Sequence, residues 1–161
     1  KKDNMIGHLN EEEVESLLNH QVIGRIGCCV DNRCYVVPIS FAYDGRYIYC
    51  RSQEGLKIQM MRKNPHVCFE AENTRNHANW QSVVIQGIYE ELEAGDARNE
   101  ALTWLHKRVL PMRSSETTHL GNDWPFGAED NDIIGGVIFR IQVVEKSGRF
   151  EQTNQDYYFA T

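Results

Sequence analysis

Residues 22–52 contain three strand-like runs joined by two short turns, and this arrangement limits the folds that the chain can adopt. The runs read VIGRIGCCV, RCYVVPISFAY and RYIYCR, and they are rich in β-branched and aromatic residues. Asp31-Asn32 separates the first two runs, and Asp44-Gly45 separates the last two. Because Asp-Gly between such runs is a strong hairpin signal, this segment is predicted to form three antiparallel strands in a meander.

The rest of the chain adds further strands and three helices. Helical spacing of apolar residues predicts helices in LNEEEVESLLNH, in LKIQMMRK, which ends at Asn64-Pro65, and in DARNEALTWLHKRVL. Strand periodicity predicts HVCFEAE, QSVVIQGIYEELE and GGVIFRIQVVE, with the polar segment NTRNHAN connecting the first two. About six strands favour a closed or partly open antiparallel β-barrel, since a single sheet would leave long apolar edges exposed.

Length and charge narrow the class of protein. The 161 residues contain no repeat and no linker, so residues 1–161 are predicted to form one domain. The net charge of −6, without a basic stripe, argues against nucleic acid or an anionic membrane as a partner, and disfavours an oligonucleotide-binding barrel. No apolar run is long enough to span a membrane, and KKDNMIGHLN lacks the apolar core of a signal peptide, so a cytoplasmic protein is expected.

Five cysteines lie in apolar or strand-like segments, at positions 28, 29, 34, 50 and 68. They include no C-x-x-C pair, and the histidines show no metal-ligand spacing, so no metal site is predicted. The favoured interpretation is reduced, buried cysteines that serve as small apolar side chains, with a redox or metal role as the alternative. Cys28 and Cys29 would point to opposite faces of one strand.

The segment CRSQEGLK combines four features that suit an anion. Ser52 lies where a strand becomes a helix, and Gly55 allows close approach of the backbone to a ligand. The N–H groups at the helix start and the ammonium of Lys57 would supply positive charge. The alternative is that Ser52 caps the helix, Gly55 is a turn residue and Lys57 is solvated.

Pro38 interrupts the strand YVVPISF, where it cannot donate a ladder hydrogen bond. This predicts an edge or a bulge at that point, with backbone groups free to contact a ligand or simply facing solvent. Residues 111–132 show no usable periodicity, and a segment of that length with an apolar Trp124 is expected to be functional or mobile. His77 is a weak candidate for a proton donor, and a plain loop histidine is the favoured alternative.

Taken in order, these segments resemble a known family. The stretch from GRIGCC to NPHVCFE, then NWQSVVIQGIYEEL, then VIFRIQVVEKSGRFE is similar to the flavin-binding split-barrel family related to pyridoxamine 5'-phosphate oxidase. The nitroimidazole-resistance-like subgroup resembles it most. The similarity runs from about residue 9 to residue 150.

The resemblance implies a mainly β fold, a six-stranded antiparallel split β-barrel of the FMN-binding type with flanking helices. It also implies a homodimer with FMN at the interface. Residues expected along the isoalloxazine edge are Val37, Pro38, Ile39 and Ser40. Those expected near the ribityl phosphate are Cys50, Arg51, Ser52 and Lys57. On a neighbouring strand, the residues expected near the ring or the phosphate are Trp80, Gln81 and Ser82. Trp124 would cover the ring.

The chain departs from the oxidase pattern at several positions. Tyr35 stands where the oxidase has an arginine, WQS replaces an Arg-Gln pair, and the C-terminal tryptophan and arginine have no clear match after Phe139-Arg140. The resemblance therefore favours reduction of a small, flat, electron-poor molecule, nitroaromatic- or quinone-like, over pyridoxamine phosphate oxidation. The alternative is a non-catalytic barrel that binds FMN, a deazaflavin or haem, with His77 as the nearest axial ligand.

Overall fold

A computed structural model of the chain describes residues 4–109 and 135–153. Seven strands and three helices lie within these ranges. In chain order they are β1 (Asn4–His8), α1 (Glu11–His20), β2 (Ile23–Val30), β3 (Arg33–Tyr43), β4 (Tyr47–Ser52), α2 (Leu56–Lys63), β5 (His66–Asn76), β6 (Asn79–Glu91), α3 (Asp96–Val109) and β7 (Val137–Thr153).

The strands form one antiparallel sheet in the order β1, β7, β4, β3, β2, β5, β6. Since β6 also pairs with β7, six of these strands close into a ring, and β1 adds to the outside edge of β7. The predicted six-stranded antiparallel barrel with flanking helices is therefore confirmed. The additional strand, β1, was not predicted from the sequence.

Two strand pairs extend further than the periodicity indicated. The segment NTRNHAN, predicted as a polar connection, mostly continues β5 and β6, with Asn73 opposite Gln81 and only a short turn at residues 77–78. β7 likewise continues to Thr153, because its second half pairs with both β6 and β1. Hydrogen bonds to the neighbouring strands satisfy the backbone N–H and C=O groups of these extensions. The prediction missed them because it depended on alternating apolar side chains, which these segments lack.

α1 covers one side of the barrel and begins with a capping box, as its sequence predicted. The Asn10 side chain accepts a hydrogen bond from the Glu13 backbone N–H at 2.9 Å, and the Asn10 N–H donates to the Glu13 carboxylate at 2.8 Å. Three residues at helical spacing, Val14, Leu17 and Leu18, are buried against the sheet.

Apolar side chains fill two regions of the protein. The barrel interior contains large buried residues from several strands, with the Phe41 and Phe69 rings edge to face at 4.8 Å between centroids. A second cluster lies beneath α3, where Leu102 and its neighbours pack on Ala42, Tyr49 and Ile138. Among the described residues, no helix has the length and apolar character that a membrane crossing requires.

Candidate functional site

The barrel is open between β3 and β4. The two strands pair directly only from Phe41 opposite Cys50 to Tyr43 opposite Ile48. Residues 33–40 of β3 pair with β2 on one side, and among the described strands they have no neighbour on the other. Pro38 lies in this unpaired stretch, opposite Arg25 of β2, so its predicted edge position is confirmed.

The side chains of residues 33–40, which have a neighbouring strand on one side only, alternate between the two faces of the sheet. Val37 lies opposite the buried Ile26 and packs against the barrel core, and the buried Ile39 follows on the same face. Pro38 and Ser40 lie on the outer face and are exposed. The opening is thus bordered by two apolar side chains on the inside and by a strand edge with free backbone groups.

The end of β4 forms the other side of the opening. Cys50 is opposite Phe41 and is fully buried, and Ser52 follows on the same face and is also buried. The Ser52 hydroxyl donates to the Gln53 carbonyl at 2.9 Å, in the turn that leads into α2. Arg51 points to the opposite face, where its Nε donates to the Gly135 carbonyl at 2.7 Å. The Arg51 side chain therefore lies on the opposite face of β4 from the side chains of Cys50 and Ser52.

The N-terminus of α2 lies directly after this turn. Gly55 is the N-cap residue, with no side-chain hydrogen bond to the first-turn N–H groups and no acidic residue in the first turn. The structure thus excludes the alternative in which Ser52 caps the helix. N–H groups at a helix start require an acceptor, so this terminus is suited to an anion or to water.

Lys57 adds a positive charge to this terminus and lies close to the opening. Burial raises the pKa of the Cys28 thiol and, more strongly, of the Cys50 thiol, and the nearby Lys57 ammonium opposes both shifts. Cys28 belongs to β2 and Cys50 to β4, so the Lys57 charge acts on both sides of β3.

Arg62 is on the same helix but is engaged elsewhere. Its guanidinium donates to the carboxylates of Glu54 and Glu91, with the closest contact to each at 2.7 Å. Hydrogen bonding to Arg62 lowers the pKa of Glu91, which also accepts from the Tyr89 hydroxyl. Two carboxylates therefore neutralise Arg62, which lies in the last turn, and Lys57 is the cation of the first turn.

Trp80, Gln81 and Ser82 lie at a different part of the sheet. They begin β6, which is separated from β3 by β2 and β5. Trp80 Nε1 donates to Glu151 at 3.0 Å, and the Ser82 hydroxyl donates to Glu70 at 2.7 Å. Within one chain, these three residues are not adjacent to the opening between β3 and β4.

His77 also lies away from the opening within one chain. It is exposed in the turn between β5 and β6, whereas β5 pairs with β2 only as far as Glu70, opposite Arg25. Arg25 is in turn opposite Pro38, so His77 lies seven residues beyond that level, roughly 20 Å at the rise of a strand. Trp124, the residue predicted to cover the ring, lies outside the described residues.

The outer face of β2 and β3 carries exposed apolar side chains that the sequence analysis did not single out. Ile23 is 56% exposed and Val36 is 62% exposed. Nearby, Arg25 pairs with Glu70 at 3.2 Å and Glu72 at 2.9 Å. Side chains alternate between the two faces along β3, and Tyr35 and Val37 face the core. This alternation could have identified Val36 as an apolar residue on the outer face.

In the described parts of the chain, no group of three or more His, Cys, Asp or Glu side chains is arranged to hold a metal ion.

Known proteins are similar to this one over nearly the whole chain, two of them in structure and one in sequence. A FAD-binding protein from Mesorhizobium loti is 30% identical, with a TM-score of 0.71 over 92% of this chain and 98% of its own. A candidate 5-nitroimidazole antibiotic resistance protein from Bacteroides thetaiotaomicron has a TM-score of 0.69 at 19% identity, over 95% of this chain and 92% of its own. An uncharacterised protein of Rhizobium meliloti (strain 1021) is 29% identical over 88% of this chain and 92% of its own.

The sequence profile described as pyridoxamine 5'-phosphate oxidase matches residues 10–150. This range includes the barrel strands from β2 onwards, the opening between β3 and β4, and the start of α2. The chain therefore belongs to the pyridoxamine 5'-phosphate oxidase family.

Proposed function

We propose that this protein binds FMN in the opening between β3 and β4 and is a flavin-dependent oxidoreductase. The observation that carries the proposal is the N-terminus of α2, which follows β4 closely, has no capping side chain and no first-turn acid, and carries Lys57 in its first turn. A phosphate at this position would accept hydrogen bonds from the first-turn N–H groups and pair with the ammonium. The Mesorhizobium loti relative, named a FAD-binding protein, supports a flavin as the ligand.

The edge of β3 suits the ring of such a ligand. Alternate residues of an unpaired strand direct their N–H and C=O groups away from the sheet, so residues 37–40 can offer backbone hydrogen bonds to the polar edge of an isoalloxazine. Val37 and Ile39 would supply apolar contact below that edge. These residues bind and orient the ring, and bound FMN supplies the hydride or single-electron transfer.

Among the described residues, the opening is bordered by one site for a phosphate rather than two. Lys57 is the cation at the start of α2, and Arg62 is already neutralised by Glu54 and Glu91. Arg51 is held on the opposite face by Gly135. One helix N-terminus with one ammonium forms a single anion site, which suits a terminal phosphate monoester, and we therefore propose FMN rather than FAD.

A small, flat, electron-poor molecule is the proposed substrate class, nitroaromatic- or quinone-like. Such a molecule can stack on a flavin ring and accept electrons without a phosphate anchor of its own. Tyr35 replaces the arginine of the oxidase pattern on β3, and its half-buried ring packs against the barrel core. This substitution removes one cation that could hold the phosphate of pyridoxamine phosphate.

A second copy of the chain would complete the site. In one chain, Trp80, Gln81 and Ser82 pair with residues 149–151 of β7, whereas β4 pairs with residues 137–142 of that strand, so these three residues do not reach the opening. The exposed Ile23 and Val36 lie on the outer face of β2 and β3. Apolar residues that are exposed together on a sheet are typical of an interface. We propose a homodimer that covers this face and brings residues 80–82 of one chain towards the opening of the other.

The first experiment identifies the cofactor. The visible spectrum of the purified protein is recorded, and the supernatant after denaturation is separated against FMN and FAD standards. Twin flavin bands with FMN in the supernatant are expected. FAD in the supernatant would overturn the assignment of a single phosphate, and failure of the protein to hold or take up either flavin would overturn flavin binding itself.

Turnover separates an enzyme from a flavin carrier. The flavin is reduced under anaerobic conditions, and its reoxidation is followed after addition of a nitroaromatic compound or a quinone. Rapid reoxidation that saturates with acceptor concentration is expected for the proposed oxidoreductase. Stable binding of FMN without acceptor-dependent reoxidation would favour the non-catalytic alternative.

A further inference from the structure

Two cysteines meet on the outside of the barrel at the tip of the hairpin between β2 and β3. Cys29 and Cys34 are directly opposed across the strand pair, and their sulfur atoms are 3.1 Å apart. Cys34 is exposed and Cys29 is half-buried. The expectation that the cysteines are buried is therefore wrong for this pair, which lies near the tip of the hairpin, where only the inner face packs against the core.

The turn explains why these two residues face one another. Asp31 and Asn32 both have positive φ, 51° and 61°, which identifies a two-residue turn of the I′ type. Val30 and Arg33 close the turn as the hydrogen-bonded pair, so Cys29 and Cys34 form the next pair, which has no ladder hydrogen bonds. Cα atoms in such a pair are typically about 4.5 Å apart, within the range of disulfides.

We propose that Cys29 and Cys34 form a redox-active dithiol that hydrogen peroxide oxidises reversibly to an intrachain disulfide. The sulfur atoms need to approach by roughly 1 Å to reach bonding distance, which rotation of the side chains can provide. The hairpin already holds the backbone in place, so the bond forms without rearrangement of the fold.

The oxidation proceeds in two balanced steps. The exposed Cys34 thiolate attacks one oxygen of hydrogen peroxide, which breaks the O–O bond, releases hydroxide and leaves a sulfenic acid on Cys34. The Cys29 sulfur then attacks the Cys34 sulfur, and the sulfenic oxygen leaves as water with the thiol proton. The two sulfurs are oxidised, the peroxide is reduced, and an added dithiol restores both thiols by exchange.

The other three cysteines lack these features. Cys28 and Cys50 are buried in the barrel, and burial raises the pKa of both thiols. Cys68 is half-buried on β5, with its sulfur 3.8 Å from the amide nitrogen of Gln86. Cys68 therefore provides a matched control for a thiol on the same outer face without an opposed cysteine.

The chain itself provides a clean assay, because Arg33 lies between the two cysteines. Trypsin cleavage after Arg25, Arg33 and Arg46 separates Cys29 and Cys34 into the peptides IGCCVDNR and CYVVPISFAYDGR. A disulfide joins these peptides, whereas free thiols leave them separate. Since Cys28 shares the first peptide, the Cys28→Ser variant shows which cysteine is bonded.

The experiment treats the full chain with hydrogen peroxide and counts thiols after denaturation. We expect wild type and the Cys28→Ser and Cys68→Ser variants each to lose two thiols, to give the joined peptides and to recover fully with dithiothreitol. We expect Cys29→Ser and Cys34→Ser to give no joined peptides. Far-ultraviolet circular dichroism verifies that each variant is folded.

Three results would overturn the proposal. The first is that both cysteines stay free, or are oxidised separately without joined peptides. The second is that the joined peptides disappear in Cys28→Ser, and the third is that the bond links two chains. The assay needs no flavin, so its outcome is independent of the proposed FMN site.

Discussion

Phe41 and Cys50 are the last directly opposed residues before β3 and β4 separate. On the N-terminal side of Phe41, β3 continues with β2 alone, and beyond Cys50, β4 continues with β7 as far as Ser52. The gap that results is bordered by a strand edge and leads to the start of α2. A closed barrel would use these backbone groups in its own ladder, whereas a split barrel leaves them for a ligand.

Replacement of Lys57 tests the phosphate assignment. Loss of one charge-assisted contact to a phosphate costs about 2 kcal/mol, so Lys57→Ala is expected to weaken FMN binding by about tenfold to a hundredfold. The dissociation constant is measured by quenching of flavin fluorescence after removal of bound cofactor. Lys63→Ala is the matched control, because Lys63 is exposed in the last turn of the same helix. Equal affinity of the two variants would contradict a phosphate at this terminus.

Gly24 and Gly27 on β2 provide a stability test within one strand. A Cβ at Gly24 would lie 2.3 Å from the Phe69 ring and 2.6 Å from the Glu70 carbonyl oxygen, whereas at Gly27 the nearest atoms are 3.7 Å away. Gly24→Ala is therefore expected to destabilise the fold by about 2 kcal/mol through overpacking. Gly27→Ala is expected to be neutral or to stabilise by up to about 1 kcal/mol. Urea unfolding measures both, and a similar loss of stability in both would contradict the close packing at Gly24.

Much of the fold could be predicted because its signals are local. The turn at Asp31-Asn32, the turn at Asp44-Gly45 and the cap at Asn10 each depend on residues within a few positions, and all three are present in the structure. β1 depends instead on β7, more than a hundred residues later, and its five residues contain no periodic signal of their own. Pairing over such a separation cannot be inferred from a single short segment.

The parts of the candidate site that could be predicted are those that depend on local sequence. The sequence placed Lys57 at a helix start and Pro38 at a strand edge, because each is a property of its own segment. It could not show that Arg51 is held by Gly135 on the opposite face, since that contact joins residues far apart in the chain. The opposition of Cys29 and Cys34, in contrast, follows from the two-residue turn between them and could have been found by counting outwards from Asp31-Asn32.

The lowered pKa of Glu91 predicts how the stability of the fold changes at acidic pH. Its pKa is lowered from the ordinary value of 4.5, chiefly by the hydrogen bonds from Arg62. A carboxyl whose pKa is lower in the folded state stabilises the fold above its ordinary pKa, and this contribution is lost as pH falls through the folded-state pKa. Wild type should therefore lose stability below about pH 4.5, relative to Glu91→Gln, whose side chain does not titrate. Urea midpoints at several pH values measure this, and parallel curves for the two proteins would contradict it.

Val36 tests the proposed dimer and its link to the cofactor. The side chain is 62% exposed on the outer face of β3, so Val36→Glu should leave the fold of one chain intact. In a dimer that covers this face, the substitution would bury an unpaired carboxylate and favour dissociation. Sedimentation is expected to show a wild-type dimer and a Val36→Glu species near the monomer mass of 18.6 kDa. Val144→Glu on β7, where the side chain is 66% exposed, is the matched control and should remain dimeric.

If residues 80–82 of the second chain contribute to the site, Val36→Glu should also lose bound flavin. Retention of full flavin content by a Val36→Glu monomer would show that one chain suffices, and a monomeric wild type would contradict the interface itself.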